Sequence, residues 1–378
     1  MTDEKNNIVA EDNQVTNHQE NDKLNEVSEL SKRGYQLLKE NLIREAEECF
    51  LEILKQDETN NYALVGMGDA ARKRGQFKTA LQYYQKCLQF HEGNNYALFG
   101  LADCYKALNQ YNQAIKIWEQ YLIHDSRNVT VLTRVADAYR KVRDFKRSKE
   151  VYLKVLDMEN DNPYALIGLG HLHYDFREYE EALKYWERML EKNPETVDIR
   201  VLTSLGNCHR KLKTYEKGLY YFGWALKLEP ENFYALFGMA DCYRGLNQQD
   251  KSLVYWNKIL KADPLNKVIL TRAGDAYRQM GEYEEAEEYY HKALNIEFDV
   301  YAILGLALIN KMRGKYHEAI ESLKALLKND PKNHRLYTEL AECYIKIGQK
   351  DKAVEVLREF QKLGIRNTYV SELLDSIK

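Results

Sequence analysis

A chain of 378 residues with 44% hydrophobic and 30% charged side chains has the composition of a soluble folded protein rather than of a low-complexity one. Its net charge of −3 supplies no bulk basic field for nucleic acid or an anionic membrane, and its apolar runs are too short to span a bilayer. Six cysteines without CxxC or other metal-ligand spacing predict neither a metal centre nor a cofactor, and a reducing, cytoplasmic setting is the simplest reading.

Residues 1–26 are polar, acidic and rich in Asn, too poor in apolar surface to offset the entropy of ordering, and they predict a disordered tail. The opening MTDEKNNIVAEDNQ has neither the basic nor the apolar region of a secretory signal. From Val27 the hydrophobic spacing becomes helical and then recurs. The stretch from Tyr96 to Tyr121, YALFGLADCYKALNQYNQAIKIWEQY, shows the unit. Leu98, Leu101, Ala102 and Tyr105 fall at i, i+3, i+4, i+7, and Ala114, Ile117, Trp118 and Tyr121 repeat the pattern. Asn109-Gln110-Tyr111 predicts a turn between the two helices. The stretch returns from Tyr234 as YALFGMADCYRGLNQQDKSLVYWNKI. A period near 34 residues predicts stacked helix pairs, here termed A and B, that bury their apolar stripes only against neighbours.

Such units start near 27, 61, 95, 129, 163, 199, 233, 267, 300 and 334. A small residue in helix A (Gly34, Gly68, Ala102 and their equivalents) is followed twelve positions later by one in helix B (Ala46, Ala80, Ala114). Four positions further stands a large residue: Phe50, Tyr84, Trp118, Tyr152, Trp186, Phe222, Trp256, Tyr290, Leu323, Leu357. These rings are expected to fill the layers between units. Each of the five prolines, Pro163, Pro194, Pro230, Pro264 and Pro331, falls at a junction, where no helix is interrupted. LTRVADAYR at Leu132 returns as LTRAGDAYR at Leu270, so units two to five read as duplicated in units six to nine. Between Pro194 and Ile199 the spacing slips by about two residues, either a longer loop or a hinge. After Asn367, the spacing of Val370, Leu373, Leu374 and Ile377 predicts a short capping helix.

The fifth unit carries Leu166, Leu169 and Gly170, then Tyr179, Ala182, Trp186 and Pro194. This pattern resembles the tetratricopeptide repeat. The resemblance covers 27–366 and implies an all-α, right-handed superhelical solenoid of antiparallel helix pairs, with 367–378 as its cap. It also implies a non-enzymatic scaffold or adaptor whose A helices line a concave groove, with a protein or peptide as partner. Positions two, five, six, nine, twelve and thirteen of each unit would face that groove, and they lie opposite the packing stripe of a helix.

Those positions form a ladder of alternating charge. Asp69, Asp103, Asp137, Asp241 and Asp275 hold the ninth, and Arg72, Lys106, Arg140, Arg244 and Arg278 the twelfth, with Arg134 and Arg272 at the sixth. Partners three apart on a helix are neighbours worth about 0.2–0.5 kcal/mol per pair. Either the ladder satisfies itself and keeps the groove solvated, or it binds a peptide. Tyr62, Tyr96, Tyr234 and Tyr301 stand at the second position, Phe99 and Phe237 at the fifth. Gly66, Gly100, Gly168, Gly238 and Gly305 at the sixth admit either a neighbouring unit or a ligand. In the ninth unit Tyr301, Leu304, Leu308 and Met312 replace the charges and predict an apolar pocket for a partner side chain.

No P-loop, GxSxG or HExxH is present. His173, Cys208 and His209 are on packing positions and read as core residues rather than ligands; His171 and Asp175, four apart, make at most a weak metal pair. Domains that clamp a terminal carboxylate need Lys and Asn where this chain has Thr203, Gly238 and Val268; only Asn207 and Arg272 match, so that activity is not expected. Two further readings remain: an assembly or regulatory subunit acting through its convex face or by self-association, and binding of single-stranded RNA, which the acidic rungs oppose.

Overall fold

The computed structural model describes residues 25–192 and 197–377. The expected tail and the slip at Pro194 therefore lie largely outside the described residues. Contacts divide the chain into two compact units, Met1–Pro194 and Glu195–Lys378.

The described residues hold helices alone. In the first unit α1 covers 25–39, followed by α2 (Ile43–Gln56), α3 (Asn61–Lys73), α4 (Phe77–Phe90), α5 (Asn95–Ala107), α6 (Tyr111–His124), α7 (Val129–Lys141), α8 (Phe145–Met158), α9 (Pro163–Asp175) and α10 (Tyr179–Lys192). In the second come α11 (Ile199–Lys211), α12 (Tyr215–Leu228), α13 (Phe233–Gly245), α14 (Gln249–Ala262), α15 (Lys267–Met280), α16 (Tyr283–Ile296), α17 (Val300–Met312), α18 (Tyr316–Asn329), α19 (His334–Lys346), α20 (Lys350–Lys362) and α21 (Thr368–Ile377). Odd-numbered helices up to α19 are A helices and even-numbered ones B helices. Within each unit a helix packs on the helix before and after it, and A helices also touch, as α3 with α5 and α11 with α13. This is an all-α array of antiparallel helix pairs.

Two local signals set the helix boundaries. Most A helices open on an Asn: the side chains of Asn60, Asn94, Asn128, Asn162, Asn232 and Asn266 accept the backbone N–H three residues on. That removes one of the donors a helix start leaves unpaired. Each A helix ends on a residue with positive φ: Asn41, Gly75, Asn109, Arg143 and Arg177 in the first unit, Lys213, Asn247, Gly281, Gly314 and Gly348 in the second. After Asn109 the N–H of Gln110 reaches back to the carbonyl of Tyr105 at 2.8 Å, closing a Schellman-type turn.

The large residues of the B helices make the layers. Phe50, Tyr84, Trp118, Tyr152 and Trp186 in the first unit, and Phe222, Trp256, Tyr290, Leu323 and Leu357 in the second, are fully or almost fully buried. Small residues on both sides make room for them. A Cβ added to Gly68 would stand 2.5 Å from the Tyr84 ring, and one added to Gly100 of the next A helix 2.3 Å from it. Phe50 fills the same space between Gly34 and Gly66, and Phe222 between Gly206 and Gly238. The sixth-position glycines therefore hold a preceding aromatic ring, not a ligand pocket. At the end of the chain Val370 and Leu374 of α21 close the core formed by α17 to α20.

Candidate functional site

The A-helix charges in the first unit join into two chains. The Asp69 carboxylate accepts from the Arg72 guanidinium (2.9 Å) and from the Tyr84 hydroxyl (2.7 Å). Arg72 also faces Asp103 at 3.7 Å, and Asp103 accepts from Arg134 at 2.7 Å. In the second chain Lys106 faces Asp137 at 3.8 Å, Asp137 accepts from Arg140 at 2.7 Å, and Arg140 bridges onward to Asp175. The rungs thus run between helices as well as along them. Spacing within one helix gave the Asp–Arg pairs but not these crossings, and it missed the Tyr84 hydroxyl, which reaches the ladder from the B-helix side. Placing Tyr at both Tyr84 and Tyr290, beside Asp69 and Asp275, was the available signal.

In the second unit the pattern centres on Asp241. Its carboxylate accepts from Arg244 at 2.6 Å and from Arg210 at 2.7 Å, and Arg272 stands 3.6 Å away. Asp275 accepts from the Tyr290 hydroxyl at 2.8 Å and from Arg278 at 3.4 Å. Asp103 and Asp241, both ninth in their helices, differ electrostatically. Burial pushes the Asp103 carboxyl up, against the pull of Arg134, Arg72 and Lys106. Burial acts on Asp241 too, but two guanidinium groups hydrogen-bonded to it outweigh burial and hold it below the usual range.

The aromatic positions split by depth. Tyr62, Tyr96, Tyr234 and Tyr301 are 61–79% exposed on the A-helix face. Phe99 and Phe237 are partly buried beneath guanidinium groups, Arg134 at 4.9 Å and Arg272 at 5.2 Å from the ring centroids. At the N-terminal end of this face Lys32, Tyr35, Gln36 and Lys39 of α1 join Tyr62, Asp69 and Tyr96 around a cavity of about 570 Å³. The α1 residues were not among the expected site positions. Tyr35 holds the ninth position of the first repeat, so carrying the groove register back to that repeat was the signal that would have found them.

The expected apolar pocket in α17 is corrected. Leu304 and Leu308 are buried in the core shared with α18, α19 and α20, while Tyr301 and Met312 stay exposed. Uncharged at these positions, α17 gains more by burying the two leucines in that shared core than by lining an open surface with them. The His and Cys positions also have local partners: His173 bonds to Glu178 and His209 to Thr214, and His171 packs edge-on against Trp186. Among the described residues no group of three or more His, Cys, Asp or Glu side chains is placed to hold a metal ion.

Sequence models of the tetratricopeptide repeat match residues 32–95, 71–129, 129–162, 163–196, 234–266, 268–298 and 312–362, together well over half of the chain. The chain belongs to the tetratricopeptide repeat family. A tetratricopeptide repeat protein from Parabacteroides merdae is 17% identical, with a TM-score of 0.50 over 66% of this chain and 98% of its own. PilF of Pseudomonas aeruginosa is 16% identical, with a TM-score of 0.48 over 56% of this chain and 96% of its own. PilW, a type IV pilus biogenesis factor, is 18% identical, with a TM-score of 0.48 over 52% of this chain and 91% of its own. At these identities the likeness concerns the fold. No curated protein matches the chain. Among the described residues no helix of this tetratricopeptide repeat protein is long and apolar enough to cross a membrane.

Proposed function

We propose that this protein is a non-enzymatic scaffold or adaptor that holds a partner peptide or protein against the groove face of its A helices. The observation that carries the reading is the row of exposed tyrosines, Tyr62, Tyr96 and Tyr164 in the first unit and Tyr234 and Tyr301 in the second, beside the charge ladder. A large aromatic left mostly in solvent gains nothing for the fold, and tyrosine is favoured at interfaces because it combines apolar area with a polar tip. The groove residues in this reading are Tyr62, Tyr96 and Phe99 with the first-unit ladder, and Tyr234 and Phe237 with the second. Peptide recognition along such a face uses the partner's backbone and side chains together. Neither a cofactor nor nucleic acid is part of the reading, since carboxylates alternate with the cations along the ladder. Six buried thiols suit a reducing, cytoplasmic setting.

The test is affinity capture with the wild type beside Tyr96→Ala/Tyr234→Ala, and circular dichroism to show equal folding. Both side chains are exposed, so the variant keeps its core. Loss of a partner from the variant supports the groove, and retention of every partner overturns it. One observation favours a second reading, assembly through the B-helix face. In α12, Tyr220 is 65% exposed and packs on Trp224, where α10 carries Lys184 and Arg188. Tyr220→Lys would then remove the partner while Tyr96→Ala/Tyr234→Ala keeps it.

A further inference from the structure

On the matched A helices, α3, α5, α7 and α9 against α11, α13, α15 and α17, four groove cations recur while the carboxylates between them do not all recur. Counted from the helix start, Arg72, Lys106, Arg134 and Arg140 in the first unit stand where the second has Arg210, Arg244, Arg272 and Arg278. Two of the four matching carboxylates are gone: Asp69 is replaced by Asn207 and Asp175 by Met312. The consequence is concentrated around Asp241, a single carboxylate facing three guanidinium groups within 3.6 Å. Asp103, its counterpart, has two, and Lys106 leans to Asp137 instead. One carboxylate carries a single negative charge against three guanidinium groups, so two positive charges are left without an anion in this cluster.

Arg272 shows the deficit. Its Nε is buried without a hydrogen-bond partner. Burial, reinforced by Arg244 and Arg210 and only partly offset by Asp241 and Asp275, holds its guanidinium below arginine's usual range. The Arg272 side chain remains about one-third exposed, above the rings of Phe237 and Trp256. A guanidinium that is short of anionic partners, reachable from solvent and backed by aromatic rings suits a carboxylate brought from outside.

Resting on the groove reading, we infer that the second unit binds a peptide segment carrying Asp or Glu side chains, with a carboxylate of the partner completing the arginine cluster of Arg210, Arg244 and Arg272. Phe237 and the exposed Tyr234 beside it would take an adjacent apolar or aromatic side chain. The first unit, whose cations are matched one to one, has no such preference.

The experiment is display of random twelve-residue peptides on the full chain, with sequencing of those retained and fluorescence titration of the leading peptide, its Glu/Asp→Gln/Asn version and a salt series. Asn207→Asp restores the missing carboxylate with little change in shape, and Arg272→Gln removes the cation. Supporting results are acid-rich peptides bound by the wild type, affinity that falls with salt, and a loss of roughly tenfold, about 1.4 kcal/mol, in both variants and in the neutral peptide. Peptides that need Tyr234 but show no acidic enrichment, or that ignore Asn207→Asp, overturn this inference and leave the groove reading standing. If no peptide is retained, or if the retained ones ignore both Tyr234→Ala and Asn207→Asp, both fall.

Discussion

Asp241 and Asp103 occupy one helix position in two units, and their surroundings give them opposite effects on stability. For Asp241 the native carboxyl titrates below its unfolded value. Its contribution is therefore complete above the ordinary aspartate pKa of about 3.9 and is lost as pH falls through the lowered native value. Asp103 titrates above its unfolded value, so its charge opposes folding at neutral pH and the penalty lifts as pH falls through the raised value. Asp241→Asn should cost about 1–3 kcal/mol at pH 7, Asp103→Asn clearly less, and the gap should close in acid; urea midpoints at pH 7 and pH 3 check this. Burial also pushes the thiols of Cys87 and Cys343 up to about 11 and those of Cys104 and Cys242 up to about 12. All six cysteines are buried and none forms a disulfide. Ellman's reagent should find them inert at pH 8 in the native protein and all reactive in denaturant; rapid native labelling would contradict the buried layer positions.

At the scale of a helix, stability depends on the ends and on the ring between neighbours. Gly100→Ala would drive a methyl to 2.3 Å from the Tyr84 ring, which Asp69 and Arg72 hold by its hydroxyl. Overpacking of this kind costs about 1–3 kcal/mol. Gly223 of α12, with nothing within 4 Å of its added Cβ, makes the control, since Ala there should stabilise by about 0.5–1 kcal/mol. Thermal melts of the two variants should move in opposite directions. At the turn after α11, Lys213 is held at φ 58°, and Lys213→Gly relieves a left-handed penalty of about 1–2 kcal/mol, less the entropy glycine adds to the unfolded chain. Removing 367–378 uncovers the apolar surface that Val370 and Leu374 close. That truncation should lower the melting temperature and bind a hydrophobic dye, as uncapped repeat arrays do.

At the scale of the molecule, contacts stay local along the chain: within each unit a helix touches its neighbours one or two places away. Stability is then a sum over repeats and the interfaces between them. Hydrogen exchange of Gly100→Ala should accelerate first in α3 to α6, with α9 and α10 little changed; uniform acceleration through the first unit would show a single cooperative block instead. The paired units also carry the functional argument. The matched charges of α3, α5, α7 and α9 and the unmatched ones of α11, α13 and α15 set two faces of similar build against each other as internal controls.

Much of this protein is legible without coordinates because each repeat is a local object. The helix types, the turns at Asn109 and its equivalents, and the buried rings from Phe50 to Leu357 follow from spacing, since a helix face and a left-handed turn depend on residues only a few positions apart. The Asp–Arg pairs three apart were legible for the same reason. What spacing leaves open is which neighbour occupies a shared space. The sixth-position glycines admitted a ligand or a ring, and only packing shows Tyr84 against Gly100. Leu304 and Leu308 looked like groove positions, and only the core that α17 shares with α18 to α20 buries them. Three arginines meeting on Asp241 come from three different helices, 31 residues apart on either side. Contacts of that kind depend on how repeats stack, so tertiary structure alone decides which charges are satisfied and which remain for a partner.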